Sequence, residues 1–255
     1  MSLSKAEWLA FTDDIAKLTM DPKNIITPGL YLIPTPIGNL ADMTLRAIDV
    51  LKQLNVLYCE DTRTSGVLLK SYDIRIPKLS ILNDHNESQK VTEITDLIKS
   101  DQMVGIMSDA GTPLMNDPGY KIVRGTIDAD LPVISLPGAS SVTTALVASG
   151  LPVHEYLFIG FLPPKSGKRV HELESLKPIM VGRGLSVVAF ESPHRILHTL
   201  KDLESVFGSG LSCALCIELT KKFERIVRGT PTGLLDQLGK GKVKGEIVLV
   251  MSVSS

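Results

Sequence analysis

From residue 29 to residue 150, short apolar runs alternate with amphipathic stretches, and this rhythm limits the fold more than any other property of the chain. Runs at 30–34, 56–59, 77–82, 103–107 and 132–136 read as strands. Between them Leu45, Ile48, Leu51 and Leu54 share one helical face. Further helices are expected from the polar run Asn83-Asp84-His85-Asn86-Glu87 through Ile98, over 120–129 and over 139–149. Such alternation predicts a mostly parallel sheet with helices on both faces. In sheets of this kind ligands bind outside the carboxyl ends of the strands. The polar clusters of this half all fall there.

Beyond a hinge at Gly150-Leu151-Pro152, strands are expected at 156–161, 185–190, 213–219, 225–228 and 246–253. Helices are expected from about Val170 and after Ser192-Pro193-His194-Arg195. Strands here succeed one another more closely, which predicts a mixed sheet. The expected organisation is an N-terminal extension (1–28), an N-terminal α/β lobe (29–150) and a C-terminal α/β lobe (151–255). In the extension Trp8, Phe11, Ile15 and Leu18 recur at helical spacing, the pattern of a short amphipathic helix.

With 255 residues, 44% of them hydrophobic and 22% charged, the chain has the balance of a globular α/β protein. A net charge of −1 excludes a general polycation, so any nucleic acid must be held by local basic patches. Of the three cysteines, Cys213 and Cys216 form a C-x-x-C in a strand-like run, which puts them on opposite faces as buried thiols. No further Cys or His pair completes a zinc site, and no metal is expected. There is neither a run of roughly 20 apolar residues nor a signal-peptide core, so a cytosolic protein without membrane contact is expected.

Several clusters could carry chemistry. Pro34-Thr35-Pro36-Ile37-Gly38-Asn39 matches no phosphate-loop pattern, and its prolines remove amides that a phosphate would need. It reads as a rigid turn or a stiff wall beside a ligand. Ser108-Asp109-Ala110-Gly111-Thr112-Pro113 packs small residues at a strand end, where a ligand can approach the backbone. An ordinary strand-to-helix turn is an equally good reading, and Asp117-Pro118-Gly119 is a second turn. Pro137-Gly138-Ala139-Ser140-Ser141 puts hydroxyls and amides at a helix start, either for a ligand or as a simple cap. His85 stands in a polar loop at the same predicted edge, positioned to deprotonate a hydroxyl. Glu60, Asp61 and Arg63 share that edge, where an Asp–Arg pair would also simply hold the loop.

Basic residues gather at Lys165, Lys168 and Arg169, at Lys221, Lys222, Arg225 and Arg228, and at Lys240, Lys242 and Lys244. Lysine-rich loops are usually solvated surface. The first group sits in a cationic loop, Pro163-Pro164-Lys165-Ser166-Gly167-Lys168-Arg169, that suits phosphates. Aromatic content of 5% gives no sign of a broad base-stacking platform.

Taken in order, the segments LYLIPTPIGNLADMTLRA, EDTR, HNE, SDAGTPLMNDPG, LPGASS, GFLPPKSGKR, ESPHR, ELTKKFE, RGT and KGEIVLV closely resemble the bacterial ribosomal RNA small-subunit methyltransferase I family, a branch of the tetrapyrrole methylase fold group. The resemblance covers residues 29–253. Thr64-Ser65, Asn116, Ala139 and Ile217 depart from the family pattern. The resemblance implies a two-lobed α/β fold with S-adenosylmethionine in the cleft between the lobes, and usually a homodimer. It implies 2′-O-methylation of a cytidine ribose in the decoding region of 16S rRNA within the small ribosomal subunit. It places Pro36, Asp109, Ala110, Gly111, Thr112, Met115, Ser140 and Ser141 at the cofactor, with Phe190, Glu191 and Gly229 from the wider fold group. Under this reading His85 is the base, oriented by Glu87 or Asp61, while Arg63, Lys165, Lys168 and Arg169 hold RNA phosphates. Methylation of a tetrapyrrole carbon and a non-catalytic RNA-binding assembly factor stay open as alternatives. The cationic loop speaks against the first and the intact cofactor loops against the second.

Overall fold

The computed structural model describes residues 26–239 and 243–253. The expected N-terminal helix, Lys240 and Lys242 lie outside them. Two compact units result. One takes the described residues up to Pro36 with Leu40–Ala139, and the other takes Ile37–Asn39 with the described residues from Ser140 onward.

The first unit runs β1 (Gly29–Ile33), α1 (Leu45–Leu51), β2 (Val56–Cys59), α2 (Thr62–Ser71), β3 (Lys78–Ile81), α3 (Glu87–Lys99), β4 (Met103–Met107), α4 (Tyr120–Asp128) and β5 (Val133–Ser135). The strands lie in the order β3-β2-β4-β1-β5, and every pairing is parallel. Successive side chains of a strand point to opposite faces, so a sheet covered on both sides feeds two cores. Tyr31, Ile33, Leu57 and Met107 pack with Ala47, Val50 and Leu51 of α1 and Leu69 of α2. The alternate positions Leu30, Val56, Tyr58, Val104 and Ile106 pack with Ile94 and Ile98 of α3 and Ile122 of α4.

The second unit runs α5 (Ser141–Ser149), β6 (Tyr156–Phe161), α6 (Ser166–Arg183), β7 (Ser186–Glu191), α7 (Ile196–Phe207), β8 (Leu211–Ile217), β9 (Arg225–Gly229), α8 (Pro231–Leu238) and β10 (Ile247–Val253). Its sheet order is β6-β7-β10-β8-β9; β6 and β7 are parallel and the other neighbours antiparallel. Leu173 and Met180 of α6, Ile196 and Leu200 of α7, and Leu234 of α8 fill one face against Val187, Cys213, Leu215 and Leu249. Cys216 turns to the other face, under α5, with its Sγ 3.7 Å from Ala145 O. The two thiols of the C-x-x-C are thus separated by the sheet itself. Burial pushes Cys213 up to about 12 and Cys216 up to about 11, and all three cysteines are free.

The parallel sheet and the mixed sheet match the sequence expectation, and the differences have local causes. Leu45, the first residue of α1, is 51% exposed, and since α1 stops at Leu51, Leu54 reaches the core from beyond the helix end. Helices α2 and α8 had no sequence expectation: a polar TRTSG start and an internal Gly233 hide them. Asp61 starts α2 by accepting from Arg63 N at 2.8 Å, and Thr230 starts α8 by accepting from Gly233 N at 3.2 Å. Strand β8 ends at Ile217 rather than 219, because Glu218 turns the chain into the left-handed region at φ 53°.

Candidate active site at the carboxyl edge of the parallel sheet

Parallel strands bring the loops that follow β1 to β5 to one edge of the first unit. There β1 and β4 stay joined past their ends. Thr35 N donates to Gly111 O at 2.9 Å and Gly111 N to Thr35 O at 3.0 Å, forming an antiparallel bridge. Thr35 Oγ1 donates to Ser108 O at 3.2 Å, Ser108 Oγ to Gly111 O at 3.1 Å, and Thr112 Oγ1 to Ala139 O at 3.0 Å. Gly111 takes φ 85°, a conformation that a side chain disfavours. On this braced base Asp109 and Ala110 are raised into solvent, while Pro36 and Ser108 are buried.

Electrostatically the edge is acidic. Burial pushes Asp117 up to about 7, and the charges of Glu60, Asp109 and Asp84 add to the shift. Glu60 is raised by burial and by Asp109 and Asp84, against a bond from the Asp109 backbone. Asp109 is raised by burial and by Asp61, although its Oδ1 accepts from Asp61 N at 3.4 Å. A cation placed here relieves repulsion among carboxylates that cannot all ionise freely. Asp61 is the exception. Hydrogen bonds from the Arg63 guanidinium, at 3.1 and 2.8 Å, hold it down at about 2.

Of the residues singled out from the sequence, Pro36, Asp61, Arg63, His85, Glu87, Asp109, Ala110, Gly111, Thr112 and Met115 belong to this unit. His85 is exposed; its backbone N donates to Asn83 Oδ1 at 3.1 Å, and no hydrogen bond among the described residues fixes its imidazole. Neither expected orienting partner reaches it. Asp61 is committed to Arg63. Glu87 is buried and accepts from Gly119 N at 2.9 Å and Lys121 N at 2.8 Å, so its carboxylate caps the start of α4. The orienting role expected of Glu87 and Asp61 is therefore corrected to a structural one.

In the second unit Ser140 is the N-cap of α5, yet its hydroxyl accepts from no amide of that helix, and Ser141 opens the helix. Phe190 packs edge-on against Phe158 and Phe161, with ring centroids 5.0 and 5.4 Å away. Gly229 ends β9. Glu191 is buried and occupied by Ser192 N, Arg195 and Thr199. Lys165 and Lys168 are exposed. Arg169 is not: at 2% exposure its guanidinium is consumed by Asp202 and the carbonyls of Pro163 and Pro164. The phosphate-holding role expected of Arg169 is corrected to bracing the loop that carries the two lysines.

That Glu60, Asp84 and Asp117 form a mutually repelling set is not visible in the sequence. Their loops lie far apart in the chain, so only the parallel sheet makes them neighbours. The Asp117-Pro118-Gly119 turn was the one local signal. Among the described residues no group of His, Cys, Asp and Glu side chains is arranged to hold a metal ion, and no helix is long and apolar enough to cross a membrane.

The model of the tetrapyrrole (corrin/porphyrin) methylases matches residues 29–234. The ribosomal RNA small subunit methyltransferase I of Hydrogenobaculum sp. is 42% identical over 224 residues, 88% of this chain and 95% of that protein. The protein of the same name from Pasteurella multocida is 40% identical over 230 residues, 89% of this chain and 80% of that one. Among solved structures, the methyltransferase CobJ superposes with a TM-score of 0.65 at 13% identity, covering 89% of this chain and 94% of that one. The uroporphyrin-III C-methyl transferase of Thermus thermophilus, complexed with S-adenyl homocysteine, gives 0.55 at 20% identity, covering 88% and 97%. At these identities the two structures establish the fold alone. Fold and sequence agree that the chain belongs to the tetrapyrrole methylase family and, within it, to the ribosomal RNA small subunit methyltransferase I group.

Proposed function

We propose that this protein uses S-adenosylmethionine to methylate the ribose 2′-oxygen of a cytidine in the decoding region of 16S rRNA, within the small ribosomal subunit and in the cytoplasm. The observation that carries the reading is the braced acidic edge, found on a chain of this family. The residues present fit the cofactor. Ala110 stands exposed above the braced Gly111, Thr112 carries a hydroxyl and Met115 a polarisable side chain, while Glu60, Asp84, Asp109 and Asp117 complement positive charge. Bound there, the cofactor supplies a methyl group on a cationic sulfonium. Pro36 stiffens the turn beside it. In the second unit Ser140, Ser141, Phe190 and Gly229 are further contact candidates, each to be tested by its own substitution.

The chain's tasks are alignment and proton removal. A ribose hydroxyl is a weak nucleophile until a base takes its proton, and the exposed His85 imidazole is the acceptor at this edge. Arg63, Lys165 and Lys168 supply positive charge for phosphates. Exposed Tyr156, Leu157 and Phe161 on the edge strand β6 support pairing with a second copy, giving a homodimer.

Methyl transfer from labelled cofactor to small-subunit particles, followed by nuclease mapping, tests the reading. Label on one cytidine ribose is expected; label on a base or on no RNA overturns it. His85→Ala is expected to lower turnover by roughly 10²-fold or more with cofactor affinity unchanged. Unchanged turnover removes His85 from the mechanism.

A further inference from the structure

The turn from β8 into β9 and the approach to β10 enclose a groove of about 580 Å³ in the second unit. Its geometry is unusual for surface loops. Glu218 and Thr220 both hold left-handed conformations, at φ 53° and 63°, which non-glycine residues keep only when their surroundings enforce them. The enforcement is visible. Glu218 N donates to Glu246 O at 2.9 Å, and Glu246 N donates to Glu218 Oε1 at 2.9 Å. Lys221 Nζ joins both carboxylates, at 3.1 Å to Glu218 and 2.9 Å to Glu246. Thr220 N donates to the Glu224 carboxylate. Gly245, at φ 91°, lies so close that a Cβ would stand 2.3 Å from Glu218 Cγ.

All this order presents one large side chain to water. Phe223 is 73% exposed, in a chain with few aromatics. The Lys222 ammonium lies 5.5 Å from its ring centroid, covering one face and leaving the other for a ligand. Glu218, Glu224 and Glu246 are committed within the loop. Lys222, Arg225 and Lys244 are exposed and form no ion pair among the described residues. The groove therefore offers one aromatic face ringed by uncommitted cations.

That pairing of chemistries belongs to single-stranded nucleic acid, whose bases stack on aromatic rings while its phosphates meet Lys and Arg. An acidic peptide would satisfy the cations but leave the ring uncovered. A second copy of the chain would bring like charge against like charge. A membrane surface would need more than one apolar anchor. Resting on the reading of an RNA substrate, we infer that this groove binds an unpaired segment of that RNA, with a base stacked on Phe223 and flanking phosphates held by Lys222, Arg225 and Lys244.

The test uses the full-length protein and two readouts: methyl transfer to small-subunit particles, and fluorescence anisotropy with a short unstructured RNA and with a duplex of the same length. Phe223→Ala is expected to raise KM and the oligonucleotide Kd roughly tenfold, with kcat and S-adenosylmethionine affinity unchanged; Phe223→Trp restores both. Arg225→Gln and Lys244→Gln should each reduce the salt slope of single-strand binding by about 0.7. The duplex should bind more weakly than the single strand and be indifferent to Phe223. Unchanged KM and Kd in Phe223→Ala overturn the inference, as does a wild-type protein that binds no single-stranded RNA. A change of oligomeric mass in Phe223→Ala, without loss of RNA affinity, would reassign the groove to a second copy. If the wild type methylates no RNA yet shows Phe223-dependent binding, the proposed activity falls and the docking surface stands.

Discussion

Asp117 carries a measurable consequence of its burial and, after that, of its acidic neighbours. Its folded-state value of about 7 lies above that of an unfolded aspartate, so the folded protein binds the extra proton more tightly. The associated stability is fully present below about pH 4 and is lost as pH rises through about 7. Asp117→Asn should therefore leave the melting temperature near pH 4 almost unchanged and raise it at pH 8. Because partial solvent access screens the repulsion, the rise should be about 2–4 °C, corresponding to roughly 1 kcal/mol. A melting profile whose pH dependence is identical in the variant would show that Asp117 ionises normally.

Arg169 makes the opposite case, a charge whose partner is fixed and buried. Arg169→Ala strands Asp202 and should cost about 3 kcal/mol in urea unfolding. Lys168→Ala should leave stability within about 0.5 kcal/mol while weakening RNA binding. Sequence spacing groups Lys165, Lys168 and Arg169 as one basic patch. It cannot tell that the last of them turns inward, because the partner that turns it, Asp202, comes from the next helix.

At the scale of elements, legibility followed the strength of the local pattern. Strands β1 to β5 stand in apolar runs bounded by polar turns, and each was readable from those residues alone. Helix α8 was not, because it is eight residues long, opens on Pro231 and contains a glycine, which leaves its apolar face to Leu234, Leu235 and Leu238. Its cap matters accordingly. Thr230→Ala should destabilise the protein by about 0.5–2 kcal/mol, seen as a lower urea midpoint with an unchanged slope. Helix α2 was hidden for a different reason: EDTR reads as a loop of charges until Asp61 is seen as the residue that starts the helix. The acidic site was legible only in part. Individual motifs marked Asp109, Gly111 and Thr112. Burial raises Asp117 most, and the charges that add to it come from Asp109 in its own loop and from Glu60 and Asp84, which the parallel sheet brings in from two other strand ends.

Across the whole molecule, each unit has its own core, and the two sheets differ in kind: one is parallel and covered on both faces by helix pairs, the other mixed, with α5 on one face. The sequence rhythm foretold that contrast. What it could not foretell was the Thr35–Gly111 bridge, since neither residue belongs to a strand and the pairing spans most of the first unit. That bridge gives the parallel sheet's edge a hinged side and a swinging side. Backbone bonds rivet the loops after β1 and β4, and a threonine hydroxyl ties the loop after β5 to them. The loops after β2 and β3 share one backbone bond, from Leu82 N to Cys59 O at 2.9 Å, and otherwise meet their neighbours there through side chains, with one long contact at 3.4 Å. A ligand is therefore expected to pass Arg63 and His85, as through a door that opens on one jamb. Hydrogen exchange should record the asymmetry: the amides of Thr35 and Gly111 should exchange at least about tenfold more slowly than those of Thr64 and His85. Equal rates would mean that the frame has no fixed side.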